Sequence, residues 1–409
     1  MKQILNIFKE FNDNNIEYFI LRDFETIDNI LNSRDIDIYV NPLYRKNVSI
    51  IMNKLGWYTP RTNDNKYPHK QFYKMISGKV FKFDLVYGLN YGKRNYSIKE
   101  NLVDVKKFNR IENIKIAEEK NALITMLLHM LFDKENISEK NLKIFKNIFK
   151  NYEKKYNNRK DDFYIISKKI IENNINDTNK NITEYQKMLY KYIKENKFKN
   201  IFIKSKILLC KIVKNLYLIF SRRNIAIIGV DGSGKSSIIN ELNSIFSDNS
   251  VIVYMGQKDY ETKLLKKLVN KEKCNIIHKI IKRILMIYEQ FKRYYKYRFT
   301  KKIVFFDRYV DDSFINSRKS EKIFNNLLYK VVFPKPKLKI YMYCNTEISF
   351  RRKTDIIDKD AFKNMKKRYD DYYLNNNKVI SICTDNTKEN DVIELLSEKI
   401  NEKIPNILL

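Results

Sequence analysis

A chain of 409 residues is too long for one ordinary domain and predicts two or three. Hydrophobic residues make up 44% of it, which excludes wholesale disorder, while 8 Gly, 6 Pro and 4 Cys exclude a collagen-like chain, a low-complexity linker and a disulfide scaffold. The 80 basic and 48 acidic residues leave a formal charge of +32, which suits an anionic partner, yet lysine runs through the whole chain and reads first as coding bias and solubility.

The opening ILNIFKEFNDNN is amphipathic and too short for an export signal, so the expected location is cytoplasmic. EYFILR (17–22), DIDIYV (35–40) and KVFKFDLVYG (79–88) are predicted strands among short helical signals, giving an α+β domain over residues 1–112. Residues 113–221 show no strand signal. IAEEKNALITMLLHMLFD and KNLKIFKNIFKNYEKKY carry apolar residues at helical spacing, so a helical connecting region is predicted, with His129 as a core histidine. Within it, Ile201 to Phe220 is apolar but interrupted by Lys204, Lys206, Lys211 and Lys214, and cannot span a bilayer. It reads as a packing helix. The alternative is a helix lying flat on an anionic membrane surface, peripheral at the inner membrane face.

A third composition begins at residue 222 and runs to 409. NIAIIGV is strand-like, a Gly-rich turn follows, and SSIINELNSIF is helix-like. KKIVFFD (301–307), KLKIYMYC (337–344) and KVISICT (378–384) are further strands, and their alternation with helices predicts an α/β domain with a parallel sheet. YEQFKRYYKYRFTKK (288–302) interleaves aromatic and basic residues. It reads as packing plus positive charge beside an acceptor site, in preference to nucleic-acid binding. The four cysteines and three histidines show no metal-ligand spacing.

Gly229 to Ser236, GVDGSGKS, fits GxxxxGK[ST] at every fixed position, after an apolar strand and at a helix start. Gly229, Gly232 and Gly234 let backbone N–H groups wrap a phosphate. Lys235 is placed to reach the β- and γ-phosphates and Ser236 to ligate Mg²⁺. Asp307-Arg308-Tyr309 follows strand IVFF. A carboxylate at that strand end can hold Mg²⁺ or its water, and the adjacent Arg can grip a phosphate. No NKxD sequence for guanine recognition is present.

With these residues in hand, the segment from about 223 to 405 resembles the thymidylate kinase family of P-loop nucleoside monophosphate kinases. The resemblance rests on GVDGSGKSS (229–237), FFDRYVDDS (305–313), PKLKIYMYC (336–344) with EISFRRK (347–353), and VISICTDN (379–386). It implies ATP as phosphoryl source with Mg²⁺, cradled by Gly229, Gly232, Ser233, Gly234, Lys235, Ser236 and Ser237. It implies Asp307 near the metal, Arg308 on the acceptor's phosphate, Asp231 facing a small-molecule acceptor, and Arg351, Arg352 and Lys353 in a lid over ATP. It also implies a homodimer. Three positions depart from the family. VYMGQKDY (253–260) replaces its Arg-Glu-Pro-Gly-Gly segment, Asn316 and Ser317 stand where Tyr and Gln line the thymine pocket, and Cys344 replaces a strand-ending Asp. The phosphotransfer residues that the resemblance implies are therefore intact while the thymine-reading groups are not, and lost partner groups change selectivity.

Asp35-Ile36-Asp37 lies on a predicted strand, so both carboxylates point to one side, and Asp84 on another strand supplies a third. Three such acids are a candidate site for paired Mg²⁺ ions in nucleotidyl transfer. YFILRDFETIDNILNSRDIDIYV (18–40), HKQFY (69–73) and KFDLVYG (82–88) resemble nucleotidyltransferase-like domains, although Arg22-Asp23 occupies the place of that family's phosphate-cradling glycine. Two other readings stay open. One is a non-catalytic nucleotide-binding regulator at a membrane-associated surface-glycan assembly. The other is an RNA-end-processing enzyme, for which no Lys-x-Asp-Gly nucleophile is present.

Overall fold

The computed structural model describes residues 2–21, 26–59, 69–92, 96–99, 102–156, 161–194, 205, 208, 209, 212, 213, 215–256, 261–269, 276–315, 333–353 and 358–408. The chain forms two compact units, Met1–Lys74 with Phe81–Ile212, and Met75–Val80 with Val213–Leu409.

In the first unit a mixed sheet is built from β1 (Tyr18–Ile20), β2 (Asp35–Val40), β3 (His69–Ile76) and β4 (Lys79–Val86). Two minor strands follow, β5 (Asn90–Tyr91) and β6 (Tyr96–Ile98), then β7 (Phe108–Ile111) and β8 (Ile114–Ala117). The sheet order is β3-β4-β2-β1-β8-β7. β2 runs parallel to β4 and antiparallel to β1, while β1 runs parallel to β8. The helix Lys2–Asp13 buries Ile4, Ile7, Phe8 and Phe11, the single stripe that 3.6-residue spacing produces. The helix Glu119–Leu128 is buried on nearly every side and continues as a π-helical turn, His129–Lys134. Helices Glu139–Lys155, Asp162–Glu172 and Ile182–Leu189 close the core around it with Phe145, Ile148, Phe163, Ile166 and Tyr185. The stretch read as strand-free contributes β8 and also β9 (Ile193–Lys194), which pairs with β6. Two to four residues are too short to display a period of two.

The second unit holds β10 (Asn224–Ile228), β11 (Ser250–Tyr254), β12 (Ile303–Asp307), β13 (Leu338–Tyr343) and β14 (Ile380–Cys383), in the order β11-β12-β10-β13-β14 with every pair parallel. All five residues of β10 are buried, Asn224 among them, and the apolar run 225–228 is what a strand covered on both faces requires. The aromatic core beside it includes Tyr294 stacked on Phe306 at 5.8 Å and Tyr341 on Tyr373 at 4.8 Å. The chain passes to one side of β10 for β11 and β12 and to the other for β13 and β14. The carboxyl end of β10 is thus the switch point where open parallel sheets bind ligands. Among the described residues no helix is long and apolar enough to cross a membrane.

Candidate functional site

β10 ends in the loop Gly229–Gly234, and the helix Lys235–Phe246 starts directly after it. The glycines are dictated by close packing. A Cβ on Gly229 would lie 2.2 Å from the Met342 carbonyl oxygen and 2.6 Å from Ser233 Oγ. Gly232 and Gly234 both sit at φ 81°, in the left-handed region, and Gly234 is the residue from which the helix begins. Ser233 is fully buried and its Oγ has no hydrogen-bond partner, while its carbonyl accepts from Thr384 Oγ1 at 3.3 Å.

Lys235 is 6% exposed, and its ammonium donates to the Val230 carbonyl at 2.7 Å. Burial pulls its pKa down to about 8, helped by the charge of Arg308 and resisted by Asp231, Asp307 and Asp312. Asp307 closes β12 in register with Ile227 of β10, two residues before the loop. Burial raises its pKa against the pull of Lys235 and Arg308, and its Oδ1 is a buried acceptor without a partner. Ser236 and Ser237 lie exposed in the first helical turn.

Arg308 has φ 67°, unusual for a residue with a side chain, and its backbone N–H donates to the Ile227 carbonyl at 2.9 Å. That turn aims the guanidinium at two carboxylates, Asp231 Oδ1 at 2.5 Å and Asp312 Oδ2 at 3.2 Å. Burial opposes its charge, but Asp312 and Asp231 outweigh burial and raise its pKa further. The sequence pattern did not single out Asp312, which is buried and also bonded by Tyr369. Asp231 faces Lys353 as well, with Nζ at 3.7 Å. Of the residues expected in a lid, Arg351 and Arg352 are both exposed, and Arg352 is bound to Thr384, its two guanidinium nitrogens reaching Oγ1 at 3.1 Å and the carbonyl at 2.6 Å.

The departures from the family pattern have local explanations where they are described. Cys344 is buried beneath the loop, with Sγ 3.0 Å from Ser349 Oγ and 3.6 Å from the Gly232 carbonyl. After β11, the Met255 carbonyl accepts from Gln290 Nε2 at 3.0 Å and the Tyr254 carbonyl from the Arg293 guanidinium at 3.1 Å. Glu289 accepts from the backbone N–H groups of Glu261 and Thr262, at 3.1 and 2.6 Å, just before the helix Lys263–Val269. All three belong to the helix Ile276–Lys296 and turn inward. Asn316 and Ser317, with the 257–260 part of VYMGQKDY and Arg22-Asp23 of the first unit, lie outside the described residues.

In the first unit, Asp37 and Asp84 stand opposite each other in the β2–β4 register, and Asp35 stands opposite Lys82. A cavity of about 220 Å³ is lined by these acids together with His69, His129 and Asp133. Each of three carboxylates has a cationic or imidazole neighbour: Asp35 with Lys82 at 2.9 Å, Asp84 with His69 at 3.3 Å, and Asp133 with His129 at 2.8 Å. Gln71 also donates to Asp84 at 3.2 Å. Burial works against a charged His69, but Asp84, Asp133 and Asp37 outweigh it and raise its pKa. Among the described residues no three His, Cys, Asp or Glu side chains are gathered as metal ligands. His129 is therefore a cavity residue and not the core histidine expected. The α-helix gives way to the π-turn at His129, which rotates that side chain out of the apolar stripe.

A parallel sheet with a glycine loop at its switch point, Lys235 inside the loop and a strand-ending carboxylate beside it defines a P-loop nucleotide-binding domain. Residues 227–395 match the family model described as thymidylate kinase, so this part of the chain is a thymidylate-kinase-like nucleotide kinase domain. Similar solved structures include a deoxyadenosine kinase from M. mycoides with products dCMP and dCDP bound, 20% identical over 44% of this chain and 99% of its own, with a TM-score of 0.34. A thymidylate kinase from Ehrlichia chaffeensis is 19% identical over the same shares, with a TM-score of 0.32. One from Candida albicans is 16% identical over 46% of this chain and 93% of its own, with a TM-score of 0.37. No curated protein matches the chain.

Proposed function

We propose that the carboxy-terminal domain transfers a phosphoryl group from Mg²⁺-ATP to a nucleoside monophosphate or a related small phosphorylated metabolite. The observation that carries this reading is the convergence of Lys235, Asp307 and the clamped Arg308 at the carboxyl end of β10. The residues fit the nucleotide and its metal. Ser233 Oγ and Asp307 Oδ1 are buried polar atoms without partners beside the loop.

In that reading Lys235, now donating to the Val230 carbonyl, would hold the terminal phosphates, and Ser236 with Asp307 would hold the Mg²⁺. Bound Mg²⁺-ATP supplies the transferable phosphoryl group and part of its counter-charge. Arg308 is fixed by Asp231 and Asp312 before any acceptor arrives, so its positive charge needs little reorganisation to meet the acceptor's phosphate. Turnover measured against a panel of monophosphates and sugar phosphates, with Lys235→Ala as control, tests the assignment. ATP binding without turnover on any acceptor would favour the regulator reading instead.

A second reading, a nucleotidyl-transfer site in the amino-terminal unit, is favoured by the registered pair Asp37 and Asp84 on one cavity. Calorimetric titration with Mn²⁺ and a nucleoside triphosphate, in the parent and in Asp37→Asn, tests it. Equal heats in both would dismiss it.

A further inference from the structure

A cavity of about 330 Å³ lies at the opposite end of the second unit's sheet from the glycine loop. Lys337 directly precedes β13, and Lys378 and Val379 precede β14, so the cavity sits at the amino ends of these strands. The loop packs instead on Met342, near the carboxyl end of β13. Five steps of extended chain separate Lys337 from Met342, roughly 16 Å at about 3.3 Å each, which makes the two sites distinct. Residues 309–311 and the stretch just beyond the helix Lys359–Tyr373 complete the wall.

The charges that line it are unequal. Lys335, Lys337 and Lys378 are exposed at its rim, and none of the three has an ion-pair partner among the described residues. Lys339 differs, because its ammonium is bound to Asp311, which also accepts from Tyr373 Oη at 3.0 Å. Asp311 is the single carboxylate among the described lining residues and is 6% exposed, so its charge is met inside the wall. Three cations are left around the cavity with no opposing charge. The remaining wall is aromatic and apolar. Phe333 and Tyr309 are buried, the Tyr309 hydroxyl donating to the Pro334 carbonyl at 2.5 Å, and the Tyr372 ring is 39% exposed. Convergent polar groups on an apolar cavity of this volume are the composition of a small-ligand site.

We infer that this cavity is a second nucleotide site, taking a nucleoside di- or triphosphate with its phosphate chain on the three lysines and its base against the aromatic wall. Three cations around one cavity match a ligand with several negative charges, and the rings match a flat, weakly polar part of the same molecule. Inorganic phosphate would meet the lysines and leave the rings unused. The run 308–312 serves both sites in turn. Arg308 and Asp312 form the clamp beside the loop, whereas Tyr309 and Asp311 line the cavity. A ligand held against Tyr309 and Asp311 therefore steadies the backbone that carries Arg308 at φ 67°.

Calorimetric titration of the full chain with ADP tests this, with Lys235→Ala separating the two sites. Lys235→Ala should retain an ADP site, and adding Lys337→Glu with Lys378→Glu to it should weaken that site ~10-fold or more. Added salt should weaken it too. Both lysines are exposed, so their reversal should leave the melting temperature unchanged. Amide exchange in peptides covering 308–312 should slow when ADP is added to Lys235→Ala. Binding to Lys235→Ala that the lysine reversals leave unchanged would overturn the inference, as would a single site in the parent that Lys235→Ala removes. A single site that Lys235→Ala leaves intact and the lysine reversals remove would count against the loop assignment and support this one. Tripolyphosphate that binds Lys235→Ala as tightly as ADP does would overturn the nucleotide assignment, since the base would then contribute nothing.

Discussion

Gly232 and Gly234 share a φ of 81° but not their surroundings, and the difference fixes the size of two substitutions. Alanine in the left-handed region costs roughly 1–2 kcal/mol at either site. At Gly234 the new methyl would meet only Met342 Cε at 3.7 Å, an ordinary contact, so Gly234→Ala should cost little beyond that strain. At Gly232 it would lie 2.8 Å from the Ser349 carbonyl oxygen and 2.9 Å from Ser349 Cα. Both atoms are backbone inside the helix Thr346–Arg352 and cannot swing away. Overpacking of this kind adds roughly 1–3 kcal/mol, for a total of roughly 2–5. In a unit of this size each kcal/mol moves the melting temperature by about 2–4 °C. Gly232→Ala should therefore melt at least about 2 °C below Gly234→Ala, with amide exchange accelerated in peptides from 224–246. Equal melting, or a more stable Gly232→Ala, would refute the close approach of the Ser349 backbone to the loop.

Three further outcomes are expected. Arg308→Lys removes the forked link to Asp231 and Asp312, and should lower kcat/KM for the acceptor by ~10²-fold while leaving the KM for ATP near the parent value, as steady-state kinetics would show. Asp312→Asn leaves Arg308 with one anchor. It should cost ~10-fold or more in kcat/KM, again read against the acceptor, because a small misplacement of a charged group is expensive in the transition state. Glu289 carries a pH signature: burial raises its pKa, but the bonds from Thr262 and Glu261 and the charge of Arg293 lower it overall below the ordinary 4.5. A depressed carboxylate contributes stability above its unfolded pKa and loses it as pH falls through the folded one. Glu289→Gln should thus be about 1–3 kcal/mol less stable at neutral pH, and its melting curve should converge on the parent's as pH drops below about 4.5.

The glycine loop and the helix it opens were legible because glycine, lysine and serine at fixed offsets after an apolar strand admit few structures. β2 follows DIDIYV residue for residue, since its alternation is carried by β-branched and acidic side chains. Other features depend on distant packing and leave little local trace. The clamp on Arg308 joins Asp231 and Asp312, 81 residues apart in sequence, through the left-handed turn at Arg308 itself. Arg352 was expected in a lid, and its link to Thr384, 32 residues on and just after β14, is a contact that no local pattern announces. His129 was misread because the apolar run around it keeps helical spacing, and nothing in that run announces the π-turn that displaces it. The helix Ile276–Lys296 has the spacing of an ordinary amphipathic helix. Only its orientation in the fold reveals that the polar side is the buried one.

The most direct test of the kinase assignment is Mg²⁺-dependent ATP consumption by the purified chain, with dTMP, dUMP, the other monophosphates and common sugar phosphates as acceptors. Acceptor-stimulated turnover that falls ~10²-fold or more in Lys235→Ala is the predicted result, because Lys235 is the buried cation at the loop. Turnover that Lys235→Ala leaves intact, or ATP binding with no stimulation by any acceptor, would contradict it.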